Sequence, residues 1–181
     1  MILLVLGVLL WSGAHLFKRL APEQRAAMGD KGRGPIAILL FVSVGLMIVG
    51  YRLWWADLAY ASPAWGKHAN NTLMLVSMYL FAASGMKTAI ARKMRHPMLI
   101  GVILWSVAHL LANGDWASVV LFGGMLIWAV VSIALINAQN PVWEKPAPAP
   151  KGKEFGAAFG SLLVYGVIAY IHILLGYMPF G

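Results

Sequence analysis

The chain has 181 residues, of which 61% are hydrophobic and 11% charged, where an ordinary soluble domain carries roughly a quarter charged residues. A water-soluble globular domain is excluded, and the polar segments are too short to hold a separate catalytic or DNA-binding domain. In such a chain the net charge of +8 reports the sidedness of Lys and Arg, and no nucleic-acid partner is expected. The absence of cysteine rules out disulfides, thiolate-held iron-sulfur clusters, covalent c-type haem and a cysteine axial ligand.

Apolar runs recur along the whole length, and a bilayer core of about 30 Å needs roughly 20 apolar residues per helical crossing. Six spans are predicted, at about 1–17, 35–55, 72–90, 97–112, 116–138 and 156–175. Backbone groups in lipid must be satisfied internally, so these are helices. The expected fold is therefore all-α: one polytopic transmembrane domain over 1–181, a six-helix bundle with the lipid bilayer as its partner. The Asn113-Gly114-Asp115 sequence makes the fourth and fifth spans an antiparallel hairpin. The stretch NPVWEKPAPAPKGK from Asn140 to Lys153 is a semi-rigid connector.

Lys and Arg alternate sharply between loops. The first carries five (Lys18, Arg19, Arg25, Lys31, Arg33), the second two (Arg52, Lys67), the third four (Lys87, Arg92, Lys93, Arg95), the fourth none and the fifth three (Lys145, Lys151, Lys153). By the positive-inside rule the first, third and fifth loops are cytoplasmic and both termini face away. Ser12-Gly13-Ala14 has the small residues of a cleavage site, but Lys18-Arg19 follow the apolar run instead of preceding it, so a cleaved signal peptide is not expected.

One internal repeat stands out. Gly7 to Phe17 reads GVLLWSGAHLF and Gly101 to Leu111 reads GVILWSVAHLL, identical at eight of eleven positions. Gly, Trp and His fall at i, i+4 and i+8, so Gly7, Trp11 and His15 share one helix face, and Gly101, Trp105 and His109 share another. A small residue, a flat indole and an imidazole suit a planar, metal-bearing ligand. At 1.5 Å per residue His15 lies about 21 Å from the outer end of its span and His109 about 18 Å from the inner end of its own. Both lean toward the midplane. Two imidazoles without a thiolate form a set compatible with haem b held between His15 and His109. Zinc is less suited, because the spans hold almost no acidic side chain to complete a tetrahedral site.

The bland alternative is a histidine that hydrogen-bonds across helices. It is weakened by the matched contexts of the two residues, since ionisable groups within spans are functional by default. His172, in the last span, is a third candidate ligand. His68 is expected at the interface, and His96, before Pro97, suits a cap, a headgroup contact or a haem propionate. Lys18, Arg19, Arg92 and Arg95 can pair with propionates on the cytoplasmic side. Trp54, Trp55, Trp65, Trp116 and Trp143 lie at span ends or in loops, as an aromatic belt places them. Walker loops, HExxH and GxSxG are absent from the sequence, which leaves nucleotide-driven and hydrolytic readings without support.

Arg95-His96-Pro97, Gly101, Trp105, His109-Leu110-Leu111, Asn113-Gly114-Asp115 and Leu121-Phe122-Gly123 together resemble the NnrU family of bacterial membrane proteins, which includes the plant and cyanobacterial zeta-carotene isomerases. In the isomerase branch the resemblance implies a haem b held by two histidines, at positions matching His15 and His109. It also implies the bacterial inner membrane and a role in nitrite or nitric oxide metabolism, with nitric oxide as a candidate ligand. Two departures stand out: Ser106 occupies a position where the plant isomerase has cysteine, and His172 is followed by Ile173 where the bacterial branch often has proline. The leading expectation is an NnrU-type haem-b protein of nitrogen-oxide metabolism, with Gly7, Trp11, Gly101, Trp105, Arg95 and His96 around the cofactor. The alternatives are a haem-dependent cis-trans isomerase of a carotenoid-like polyene, and a haem-free transporter or assembly factor.

Overall fold

The computed structural model describes residues 1–180, and among them every regular element is helical. We label the helices α1 (Ile2–Leu20), α2 (Pro22–Ala27), α3 (Arg33–Leu53), α4 (Gly66–Met86), α5 (Pro97–Ala112), α6 (Trp116–Gln139) and α7 (Lys151–Leu174). Short 3-10 turns precede α3 at Gly29–Gly32 and α5 at Ala89–Arg92. Four stretches, Ile2–Leu20, Gly29–Leu53, Trp116–Gln139 and Lys151–Leu174, are long and apolar enough to cross a membrane. The remaining two of the six expected spans are weaker. Helix α4 has 21 residues but carries Lys67, His68, Asn70 and Asn71 near its start, and α5 has only 16 residues.

Boundaries shift at three places for local reasons. Helix α4 starts six residues before the expected 72 and stops at Met86, where Lys87 takes the left-handed conformation (φ 56°) that ends helices. The last helix starts at Lys151, after Pro150 rather than at Gly156, because a proline is compatible with a helix start but not with its interior. Helix α6 starts at Trp116 as expected, capped by Asp115, whose carboxylate accepts from the Ser118 N–H at 2.8 Å and the Ser118 hydroxyl at 2.7 Å. Its helix widens into a π-turn over Val119–Gly123.

The buried positions are chiefly small. Ser43, Ser77, Ala83, Ser106, Ala108, Ser118, Ala129 and Ala157 are inaccessible, whereas Phe41, Ile38, Phe155 and Leu162 point outward. That distribution is the reverse of a soluble core and fits helices associating in lipid, where close backbone approach replaces hydrophobic burial. Gly50 packs on the backbone of Leu4 and Gly7 on the backbone of Ser43 and Met47, joining α1 to α3. The Ser77 hydroxyl donates to the Gly101 carbonyl at 2.7 Å, joining α4 to α5.

Neighbours run in the order α3, α1, α6, α5, α4, α7. Helices α1 and α6 run parallel: Val8 meets Gly124, Trp11 meets Trp128, and Arg19 meets Gln139. The other adjacent pairs are antiparallel. One end of the bundle, the basic end, gathers the Lys- and Arg-rich first, third and fifth loops. At the opposite end the segment after α3 covers the α5–α6 turn. The amides of Ala59 and Tyr60 donate to the Gly114 carbonyl at 2.7 and 3.0 Å, and the Tyr60 hydroxyl donates to the carbonyls of Leu110 and Asn113. Burial, helped by the Asp115 carboxylate, pushes the Tyr60 phenol up.

Candidate functional site

The two copies of the repeat build two sites, and α6 carries a side of each. In the first copy the His15 ring lies 4.1 Å from the Trp11 ring and 5.0 Å from Trp128 of α6. In the second, the His109 ring lies 5.3 Å from Trp105 and stacks on Phe122 of α6, with centroids 4.5 Å apart and planes at 22°. Phe122 and Trp128 are separated by six residues, about 9 Å of rise and roughly 240° of rotation. His15 and His109 therefore dock on different faces of α6. They also open into different cavities: His15 lines one with Lys18, Arg25 and Arg33 at the basic end, and His109 lines one at the opposite end. The expected convergence of these two imidazoles on one metal is not the arrangement found, because both helices turn their Trp-His face toward α6 rather than toward each other.

The glycines of the repeat serve packing. A Cβ on Gly7 would lie 2.8 Å from the Met47 amide nitrogen and 2.9 Å from the Ser43 carbonyl, and one on Gly101 would lie 3.3 Å from the Ser77 carbonyl. Each admits a neighbouring helix, so neither is available to admit a planar ligand. Arg95 and His96 are also engaged elsewhere. At the basic end Arg95 donates to the Asn140 carbonyl, His96 Nε2 pairs with Asn137 Oδ1 at 2.8 Å, and Arg92 donates to the Pro146 carbonyl at 3.0 Å. These contacts, with the Ala89 amide donating to Glu154 at 2.6 Å, pin the Pro-rich connector. They sit far from the cavity of His109.

That cavity measures about 790 Å³ and is bordered by α3 to α7, within the usual size of cofactor and ligand sites. His109 of α5 and His172 of α7 both line it. Each Nδ1 meets the carbonyl one turn back, His109 on Trp105 at 2.9 Å and His172 on Ile168 at 2.8 Å. A carbonyl only accepts, so Nδ1 carries the proton and each Nε2 retains its lone pair for a metal or a donor. His15 shows the same pattern, with Trp11 at 3.1 Å. The cavity wall adds Trp105, Phe122, Met47, Met74 and Met125, and its rim adds Arg52 and Lys67.

Among the described residues no group of three or more His, Cys, Asp or Glu can hold a metal ion. A two-imidazole cavity suits a metal whose other ligands come from a macrocycle. The lining residues fit a haem in this respect: two unengaged Nε2 atoms, flat aromatic walls, and cations at the rim for carboxylates. Sequence reasoning passed over Tyr51 and the methionines, and gave Phe122 only as part of the family motif, with no place at the site. Phe122 sits in the π-turn over Val119–Gly123, a device frequent at functional sites. Tyr51 is set by tertiary contact, its hydroxyl pairing with Ser118 at 2.9 Å.

A family model described as NnrU protein matches residues 3–179. The chain belongs to the NnrU family. No curated protein and no solved structure matches it.

Proposed function

We propose that this NnrU protein is a multispanning bacterial inner-membrane protein that binds haem b in the cavity between α3 and α7 and serves nitrite or nitric oxide metabolism. Six crossings with both termini away from the cytoplasm complete the reading, in line with twelve of fourteen Lys and Arg at one end. The single observation that carries it is that His109 and His172 line one cavity, each with its Nδ1 proton committed to the backbone. His109 and His172 would hold the iron. When bound, the haem supplies a redox centre and, on loss of one histidine, a coordination site for a small ligand. Trp105 and Phe122 fix the His109 ring, Arg52 and Lys67 neutralise carboxylates at the rim, and the methionine wall excludes water. His15 takes no part in this cavity.

The test is the optical spectrum of detergent-purified protein expressed with ample haem. A Soret band is expected, unchanged in His15→Ala, shifted to that of a five-coordinate iron in His109→Ala and in His172→Ala, and lost when both are replaced together. A colourless wild type, or a band lost with His15→Ala alone, overturns the reading. Addition of nitric oxide is expected to shift the band.

A second reading, cis-trans isomerisation of a carotenoid-like polyene, is favoured by one feature. Helices α3 and α7 both line the apolar cavity yet do not pack along one another, which leaves a lateral route for a long hydrophobic molecule. Product analysis after incubation with a cis-polyene separates it from the first.

A further inference from the structure

The first repeat copy opens into a site that the haem reading does not use. At the basic end, α1 and α3 enclose a cleft of about 300 Å³ lined by His15, Lys18, Arg25 and Arg33, over a floor of Ala14, Ile36, Ala37 and Leu40. We propose that this cleft binds one anionic phospholipid with a hydroxylated headgroup, of the phosphatidylglycerol class.

Three cations from different elements line this one cleft, Arg25 partly buried and Lys18 and Arg33 exposed, and local structure holds two of them. Arg25 of α2 donates to the Gly29 carbonyl at 3.0 Å, and Arg33, at the start of α3, pairs with Asp30 at 3.0 Å. Asp30 offsets one charge, and the cleft keeps a net positive field. Gly32 makes the fold of this corner possible, since a Cβ there would lie 2.7 Å from the Met28 Cβ and 3.3 Å from the Arg25 guanidinium.

The chemistry of the lining selects the ligand. Lys18, Arg25 and Arg33 are donors and take a phosphodiester. His15 is different: its Nδ1 proton is held by the Trp11 carbonyl at 3.1 Å, so its Nε2 accepts and calls for a hydroxyl donor beside the phosphate. The apolar floor, continuous with the outward-facing residues of α3 such as Phe41, takes the start of an acyl chain. A basic pocket between helices at the positively charged face of a membrane is where acidic headgroups are recognised.

Native mass spectrometry of the full-length protein in detergent tests this, with phosphatidylglycerol, phosphatidylmethanol and phosphatidylcholine of equal chain length as probes. Retention is expected in that order, falling about fivefold for each of Lys18→Gln, Arg25→Gln and Arg33→Gln, and unchanged in Lys151→Gln/Lys153→Gln. His15→Ala is expected to erase the preference for phosphatidylglycerol over phosphatidylmethanol. Equal binding of phosphatidylcholine to the wild type overturns the proposal without need of any variant. Equal losses in the Lys151/Lys153 control, or displacement of lipid by millimolar inorganic phosphate, do so as well. The Soret band is an independent readout, so failure of the haem reading leaves this result interpretable.

Discussion

Phe122 lies flat on His109, 4.5 Å between ring centres, while Trp105 meets the same phenyl edge-on at 4.9 Å. The π-turn of α6 thereby clamps the imidazole between a helix neighbour and a facing ring, with Nδ1 tied to its own backbone. The Phe122 ring and the Trp105 carbonyl together fix the orientation of the imidazole.

Phe122→Ala is expected to lower stability by about 3 to 5 kcal/mol, the usual cost of removing a buried phenyl. Phe122→Leu should cost less and keep the fold. Thermal unfolding in detergent measures both, and Phe122→Leu should broaden or shift a Soret band without removing it.

The two glycines of the first repeat copy should respond in opposite ways to the same change. Gly7→Ala forces a Cβ onto the α3 backbone, and a loss of about 1 to 3 kcal/mol is expected. Gly13→Ala meets nothing within 4 Å and should be neutral or gain up to about 1 kcal/mol through helix propensity. Parallel melting curves of the two variants decide the point.

Asp115 caps α6 and orients Ser118, whose hydroxyl holds Tyr51. Asp115→Ala should therefore cost about 1 to 2 kcal/mol as a lost cap. Asp115→Asn keeps a capping oxygen and should recover most of that. Hydrogen exchange of the Ser118 amide reports the cap directly.

Two buried serines separate a made bond from an unmade one. Ser77→Ala removes the 2.7 Å bond to the Gly101 carbonyl and should cost about 1 kcal/mol. The Ser106 hydroxyl is buried with no partner among the described residues, so Ser106→Ala should be neutral or stabilising. A destabilised Ser106→Ala would point to a partner such as a bound water.

The sequence alone determined what depends on composition and near neighbours. Helices in lipid follow from hydropathy, the α5–α6 hairpin from Asn113-Gly114-Asp115, and the Nδ1 bonds of His15, His109 and His172 from residues four apart on one helix. It also showed that α1 and α5 carry equivalent Trp-His faces. Only the tertiary structure decided what those faces meet. Periodicity fixes the angle of a side chain about its own axis, but the angle of one helix about another is set by where backbones approach, at Gly7 on Ser43, Gly50 on Leu4 and Gly124 on Val8. Those contacts turn the Trp-His face of α1 onto α6 and send His15 to the basic end, while Gly101 on Ser77 and Gly66 on Leu111 seat α5 against α4 and leave His109 in one cavity with His172, more than sixty residues on in the chain. His172 became its counterpart because α7 packs on α4 and closes the far wall of the cavity, a placement no local pattern encodes.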